Sequence, residues 1–455
     1  MEKIPHPDYE HIFVWESYQK QLDVEYRQSL EEGKDVARYK DLFDAVIAMP
    51  ENAAKEKMAD ALWELIFSLP TKKGWRYREP SGLAQIRKER RPFDAALIMP
   101  DRDVLRDKVK GAWFGRVCGC LLGKPVEGIM EEDLKKILVR TGNYPMTRYI
   151  DREEITEDVK DGVNWEIDKW AYPRDYGRMP PDDDTNYMLL DYLILSRCGR
   201  DFTPENVASY WLRTQVMHSY CTAERVAYRN FVAGYRPPDS AIYKNPYREW
   251  IGAQIRADLF GYVNPCDPEK AAEMAWRDAC VSHVKNGIYG EMWVAAMIAA
   301  AFGTNDVEKV ILRGLAEVPE KSRLHEAVTK TVEKFKAGVS EEDCFADIHA
   351  RWDEKNGHDW THTVSNAEIV AASLLYGKKD YARSVGRAVM TGLDTDCNGA
   401  TVGSVLGVML GYEALPHSFT DRICDTLESG VRGFTRVSVS EMAQKTYELI
   451  PEQDQ

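Results

Sequence analysis

Apolar residues recur at three- and four-residue intervals along most of the chain, and this spacing predicts helices. It is present early, in IFVWESYQKQLDVEYRQSL and DALWELIFSL, so residues 1–70 are expected to be helical. The stretch PTKKGWRYREPSGLAQIRKERRP (70–92) is basic and broken by Pro and Gly, which suits a linker or surface wrap. A boundary near residue 100 follows, giving a helical extension and basic linker over 1–103 and a main domain over 104–455. A clear helix is expected at 104–124, then a long polar irregular segment at 130–181 carrying Trp165, Trp170, Tyr172 and Tyr176. Long loops in compact domains are usually functional or mobile. Helical periodicity returns at 185–198, 204–217, 268–280, 289–302, 306–317, 322–337, 365–376, 380–391 and 398–412. Few β-branched alternating runs occur and no solenoid period is evident. The expected fold class is all-α, a compact multi-helix bundle with an N-terminal helical extension.

Two helical segments carry an unusual row. Gly111, Gly115, Gly119 and Gly123 fall at i, i+4 spacing in GAWFGRVCGCLLG, and Gly399, Gly403, Gly407 and Gly411 do the same in GATVGSVLGVMLG. Glycine inside a helix costs about 1 kcal/mol relative to alanine. A four-residue row without side chains lets another backbone approach along a packing ridge. Close packing alone would explain the glycines. Chemistry enters at the ridge ends, where Glu127 follows the first row and Asp394 and Asp396 precede the second.

A second acidic group, Asp182-Asp183-Asp184, precedes the helical pattern TNYMLLDYLIL. Aspartate favours helix N-caps, and negative charge suits the N-terminal end of a helix dipole. One cap needs one Asp, and this chain places three at one helix start and a DxD at another. Like charges brought together need neutralising. Carboxylate oxygens are hard ligands that select Mg²⁺, Mn²⁺ or Ca²⁺ over zinc. Ions held this way can orient a substrate's hydroxyls and activate a water.

Composition narrows the partners. The formal net charge is -14 with no basic face standing out, which argues against nucleic acid. The longest apolar run, near WVAAMIAAAF, is shorter than the about 20 residues that span a bilayer. The N-terminus shows no basic region leading into an apolar stretch, so no signal peptide is expected. The 9 cysteines are scattered without a CxxC framework, which fits reduced thiols and a cytoplasmic location.

Taken in order, GAWFGRVCGCLLGKPVEG, DDDTNYMLLDYLIL and GLDTDCNGATVGSVLGVMLG resemble the three signatures of the ADP-ribosylglycohydrolase family, relatives of dinitrogenase reductase-activating glycohydrolase. The resemblance covers roughly residues 104–412. It implies an all-α fold, an acidic cleft holding two Mg²⁺ ions, with Mn²⁺ as an alternative, and cleavage at the anomeric carbon of an ADP-ribosyl group. By position, Asp183 and Asp184 match the first aspartate pair and Asp394 and Asp396 the second. Glu127 matches the glutamate to which gating or acid–base roles belong. The pattern departs at Cys120, where the family has Asp, and at Asp182 and Cys397, where Thr or Ser supplies ligands. Asp182 offers a replacement oxygen, whereas Cys397 is a softer ligand. The resemblance also implies that SHVKNGIYGE, with His283, Asn286, Gly287 and Tyr289, lies beside the cleft and touches substrate.

The expected metal ligands are thus Asp182, Asp183, Asp184, Asp394 and Asp396, with Glu127, Asp183 and Asp396 as catalytic groups. The expected activity is Mg²⁺-dependent glycohydrolysis of an ADP-ribosylated protein or small molecule. Two alternatives stand beside it: hydrolysis of another N- or O-glycoside or nucleoside-like metabolite, and a non-catalytic binding protein on the same fold. The small-molecule glycoside or ADP-ribosyl substrate is the one partner called for. Elsewhere, Arg256 is expected to form structural ion pairs. His358 and His362, at a spacing that can bind zinc, have no third ligand apparent in the sequence.

Overall fold

The computed structural model describes residues 5–93, 96–164 and 177–452. Trp165, Trp170, Tyr172 and Tyr176 lie outside the described residues. The fold is all-α as expected. Among the described residues, strands are confined to one antiparallel hairpin, Thr426–Glu428 paired with Arg436–Ser438.

The centre is a pair of antiparallel helices, Arg102–Gly123 and Thr395–Leu410. Their glycine rows face each other: Gly111 lies against the Gly407 carbonyl, Gly115 against Gly403, Gly119 against Gly399, and Gly123 against Thr395. A Cβ built on any of the four glycines of the first row would overlap backbone of the second helix, so the approach exists only because side chains are missing. The antiparallel order brings the end of the first helix to the start of the second. Thr395 Oγ1 pins that junction by donating to the Gly123 carbonyl at 2.9 Å.

Around this pair pack the helices Asp183–Cys198, Lys285–Ala301, Thr363–Gly377 and Tyr381–Met390. Lys285–Ala301 and Thr363–Gly377 are apolar on almost every face, as suits helices surrounded by others. No helix among the described residues is long and apolar enough to cross a membrane. All the cysteines are unpaired.

Periodicity placed most helices within a few residues and missed some. The segment 130–181, expected to be irregular, opens with the helix Glu131–Arg140. Its buried stripe is only Leu134, Ile137 and Leu138, set among charges that hide the period. Thr222–Val232 and Glu341–Arg351 were masked in the same way. The basic stretch at 70–92 contains the helix Leu83–Glu89.

The N-terminal residues form a small core of their own, with Tyr18, Leu22, Phe43, Leu62 and Ile66 buried together. They meet the main body largely through charge. Arg248 reaches Glu25 at 2.9 Å and Glu32 at 2.5 Å, and Lys285 joins Glu32 at 2.8 Å. Farther on, Arg323 bridges Glu79 at 2.8 Å and Glu249 at 2.6 Å. Such buried pairs cost desolvation and fix register more surely than they add stability.

Candidate active site

The helix Asp183–Cys198 starts beside the glycine pair, and both acidic groups therefore converge. Carboxylate oxygens of Asp184 and Asp396 and the Cys397 sulfur lie within 4.8 Å of one another; Cys120, Asp182 and Asp184 form a second such group. Asp184 and Asp396 are fully or almost fully buried, Asp182 and Asp394 nearly so, and Asp183 is half-buried.

Their hydrogen bonds separate capping from what remains. Asp182 is the N-cap: its Oδ1 accepts from the Asp184 N–H at 2.9 Å. Its Oδ2 pairs with Lys124 Nζ at 2.5 Å. Asp394 occupies the N-cap position of Thr395–Leu410 without a side-chain capping bond. Asp184 Oδ1 accepts from Arg116 Nη2 at 2.8 Å, while Arg116 Nη1 holds Asp258 at 2.8 Å. Asp184 Oδ2 and Asp396 Oδ1 are buried and accept no hydrogen bond. Buried carboxylate oxygens without partners are costly, and two of them in one small acidic space fit a hard divalent cation.

Electrostatics point the same way. Burial, then the Asp182 and Asp396 charges, push Asp183 up to about 7. Burial lifts Asp184 well above the usual carboxylate range, with Arg116 opposing and Asp182 and Asp396 reinforcing. Asp394 is raised by burial and by Asp396. Asp182 behaves oppositely: burial favours its neutral form, but the Lys124 ammonium outweighs that and keeps it ionised. Glu127 follows the short turn Lys124–Val126, and burial together with the Asp396 and Asp182 charges drives its carboxyl far up. The acidic group is thus over-charged for its surroundings, as cation sites are before loading.

Arg116 and Lys124 escaped sequence reading. Their signal was positional: each directly follows a ridge glycine, Gly115 or Gly123, and so sits beside the surface that receives the second helix.

The loop at 283–289 is placed differently from the aspartates. His283 is buried, its Nδ1 within 2.8 Å of Ser282 Oγ, and its Nε2 makes no hydrogen bond. Burial, then Arg256, holds it neutral. Asn286 donates to Glu79 at 2.9 Å and Glu249 at 3.0 Å, and Tyr289 donates to the Pro80 carbonyl at 2.5 Å. A Cβ on Gly287 would crowd the Arg248 carbonyl at 2.7 Å. The hydrogen bonds of this loop run to the 79–81 stretch and the main body, and among the described residues none runs to Glu127 or the aspartates. Arg256 forms structural pairs as expected, with Glu224 at 2.6 Å and Asp278 at 2.5 Å.

His358 and His362 acquire a carboxylate partner in Glu31, 3.1 and 3.5 Å from their Nε2 atoms. The rings are nevertheless set against metal binding. His358 Nδ1 faces the Trp250 indole N–H at 3.1 Å, and His362 Nδ1 accepts from the Val364 N–H at 3.1 Å. Both donors are obligate, so each Nδ1 carries the lone pair and each Nε2 carries the proton. The His358 Nε2–H donates to Glu31 at 3.1 Å, and neither protonated Nε2 offers a lone pair to zinc.

An all-helical protein with an acidic centre built where helix N-termini meet is the class that fold and site define. A family model described as ADP-ribosylglycohydrolase matches residues 101–455, and the chain belongs to that family. A solved structure described as an ADP-ribosylglycohydrolase-related protein complex is similar at 18% identity with a TM-score of 0.48, over 76% of this chain and 98% of that one. No curated protein matches in sequence.

Proposed function

We propose that this chain is a divalent-cation-dependent glycohydrolase that cleaves the anomeric bond of an ADP-ribosyl conjugate. The observation that carries the reading is the meeting of Asp184 and Asp396, from helices far apart in sequence, each with a buried oxygen that no protein group satisfies. Family membership supports the ADP-ribosyl class of substrate.

Asp183, Asp184, Asp394 and Asp396 would hold the cation, with Asp182 shared between it and Lys124. Bound Mg²⁺ or Mn²⁺ supplies positive charge that orients sugar hydroxyls and makes water more acidic. The chain's own groups do the rest. Arg116 fixes Asp184 in one rotamer, so its second oxygen points into the centre without reorganisation. Asp183, at the more exposed edge, would take a proton from the attacking water. Glu127, whose burial favours the neutral carboxyl, would give one to the leaving group. The cysteines at 120 and 397 stay protonated because burial, first, and the aspartate charges push their thiols up. Thiols so held are weak ligands, which leaves the oxygen donors in charge of ion selection.

The test is release of free ADP-ribose from an ADP-ribosyl conjugate, with EDTA and after restoring Mg²⁺ or Mn²⁺. The reading expects release that EDTA abolishes and metal restores. Turnover undiminished in EDTA refutes the metal role, and turnover confined to other glycosides refutes the substrate class.

A further inference from the structure

A cavity of about 420 Å³ opens between the N-terminal segment and the main body, and none of the aspartates of the acidic centre lines it. His362 and Arg323 form its buried side, with side chains 1% and 12% exposed. Arg76 and Lys330, 66% and 58% exposed, stand at its mouth.

Cations crowd its lining, and carboxylates behind the wall offset three of them. Five lining residues are cations (Arg27, Arg76, Arg323, Lys330, Arg351) and two are carboxylates (Glu31, Glu326), an excess of three in a protein of net charge -14. Three of the cations are paired from behind the wall, Arg27 to Asp359, Arg323 to Glu249 and Arg351 to Glu368. At the mouth, however, Arg76 and Lys330 share a single carboxylate, Glu326.

The buried side holds donors without acceptors. Arg323 Nη1 and His362 Nε2 are both buried and make no hydrogen bond. His362 Nδ1 accepts from the Val364 N–H, so the ring proton sits on Nε2 and makes it a donor. Glu31 Oε2 lies 3.9 Å from Arg323 and 3.5 Å from His362, beyond hydrogen-bond contact, and His358 already sits 3.1 Å from that oxygen. Orphaned donors beneath two cations that share one carboxylate call for an anionic oxygen. The walls add flat rings. Trp352 stacks on His362 with centroids 5.3 Å apart, and Trp75 meets Tyr77 edge-on at 5.5 Å. Aromatic faces beside guanidinium groups suit a heterocyclic base as well as its phosphate.

We propose that this cavity is a binding site for a nucleoside mono- or diphosphate, separate from the acidic centre. The phosphate meets Arg76, Lys330, Arg323 Nη1 and His362 Nε2, and the base lies among Trp75, Tyr77 and Trp352. The volume falls in the range of small-ligand pockets. Glu326 then acts as a competitor: it neutralises the mouth when the site is empty and must yield to the phosphate.

The experiment is calorimetric titration of the full chain with ADP, and with inorganic phosphate alone. It is repeated on Arg76→Gln/Lys330→Gln, Glu326→Gln and Asp184→Asn/Asp396→Asn. The proposal expects saturable ADP binding that weakens at least about tenfold in Arg76→Gln/Lys330→Gln, tightens in Glu326→Gln, and persists in Asp184→Asn/Asp396→Asn. The opposite signs at the mouth exclude a merely structural role for these surface groups. Absence of ADP binding overturns the proposal. So does binding lost with the aspartates but kept without Arg76 and Lys330, which places the nucleotide in the acidic centre. Inorganic phosphate binding as tightly as ADP also overturns it, because the rings would then recognise nothing.

Discussion

Arg116 Nη2 lies 2.8 Å from Asp184 Oδ1 and leaves Asp184 Oδ2 bare within the acidic centre. The guanidinium also takes the Asp184 carbonyl at 2.9 Å and Asp258 at 2.8 Å, and it is wholly buried. One side chain thereby holds two buried carboxylates and aims the remaining oxygen of Asp184. Removing one member of such a pair leaves unpaired buried charge. Arg116→Met is expected to lower unfolding free energy by about 3–5 kcal/mol, read by chemical denaturation. A loss below about 1 kcal/mol, the range of exposed ion pairs, would mean that the carboxylates find other partners.

The glycine rows make a sharper stability prediction. Gly115→Ala and Gly403→Ala each drive a methyl into the facing carbonyl, where backbone rather than a flexible side chain must move. Each is expected to cost about 2–3 kcal/mol or more. Gly357→Ala is the control: nothing lies within 4 Å of its Cβ, so its effect should stay within about 0.5 kcal/mol. Equal effects at all three positions, measured by thermal denaturation, would remove steric approach as the reason for the rows.

These rows also show how far the sequence could be read. The i, i+4 glycines implied close approach, and the acids at their ends implied where a centre would form. Both depend on spacing within a short stretch, which a sequence displays directly. What escaped depends on pairing between distant stretches. Nothing near His358 announces Glu31, because the two are separated by most of the chain. Lys124 follows the last glycine of the first row, yet its pairing with Asp182 needs the helix Asp183–Cys198 in place. The 283–289 loop matched a family pattern, but its hydrogen bonds to the 79–81 stretch come from residues outside that pattern. The Glu131–Arg140 helix was lost for a local reason, a stripe too narrow to stand out among charges.

Lys124 supplies a prediction of opposite sign to most substitutions. Its ammonium occupies Asp182 Oδ2, an oxygen the cation would otherwise take. Lys124→Gln should therefore tighten Mn²⁺ binding by at least about tenfold, since even a well-screened neighbouring charge is worth about 1 kcal/mol per unit charge of the ion. The change is read by isothermal titration. Weaker binding in this variant would mean that Lys124 organises the centre instead of competing for it.

Acid is expected to loosen the N-terminal segment before the glycine helices. Burial, with the Arg323 and Arg27 charges, holds His362 well below its ordinary value despite Glu31, so it is neutral when folded. Its contribution is present above the unfolded value of about 6.5 and is lost as pH falls. For Glu79, burial opposes ionisation, but Arg323 and Asn286 outweigh it and depress the carboxyl. That contribution is present above about 4.3 and is lost as pH falls through the depressed folded value. The two have the same sign. Hydrogen exchange, corrected for intrinsic rates, should accelerate in Leu22–Glu31 as pH falls below about 6.5, where His362 acts, and further below about 4.3, where Glu79 joins it, while Arg102–Gly123 stays protected. Simultaneous loss in both would show that the segment and the main body open as one unit.

The most direct test of the acidic centre is Mn²⁺ binding followed by electron paramagnetic resonance on the wild-type chain, Asp184→Asn and Asp396→Asn. Saturable binding to the wild type that falls by at least about a hundredfold in either variant, the loss of a charged ligand from a hard-cation site, is the result this account predicts. Equal binding in all three proteins, or none in the wild type, would contradict it.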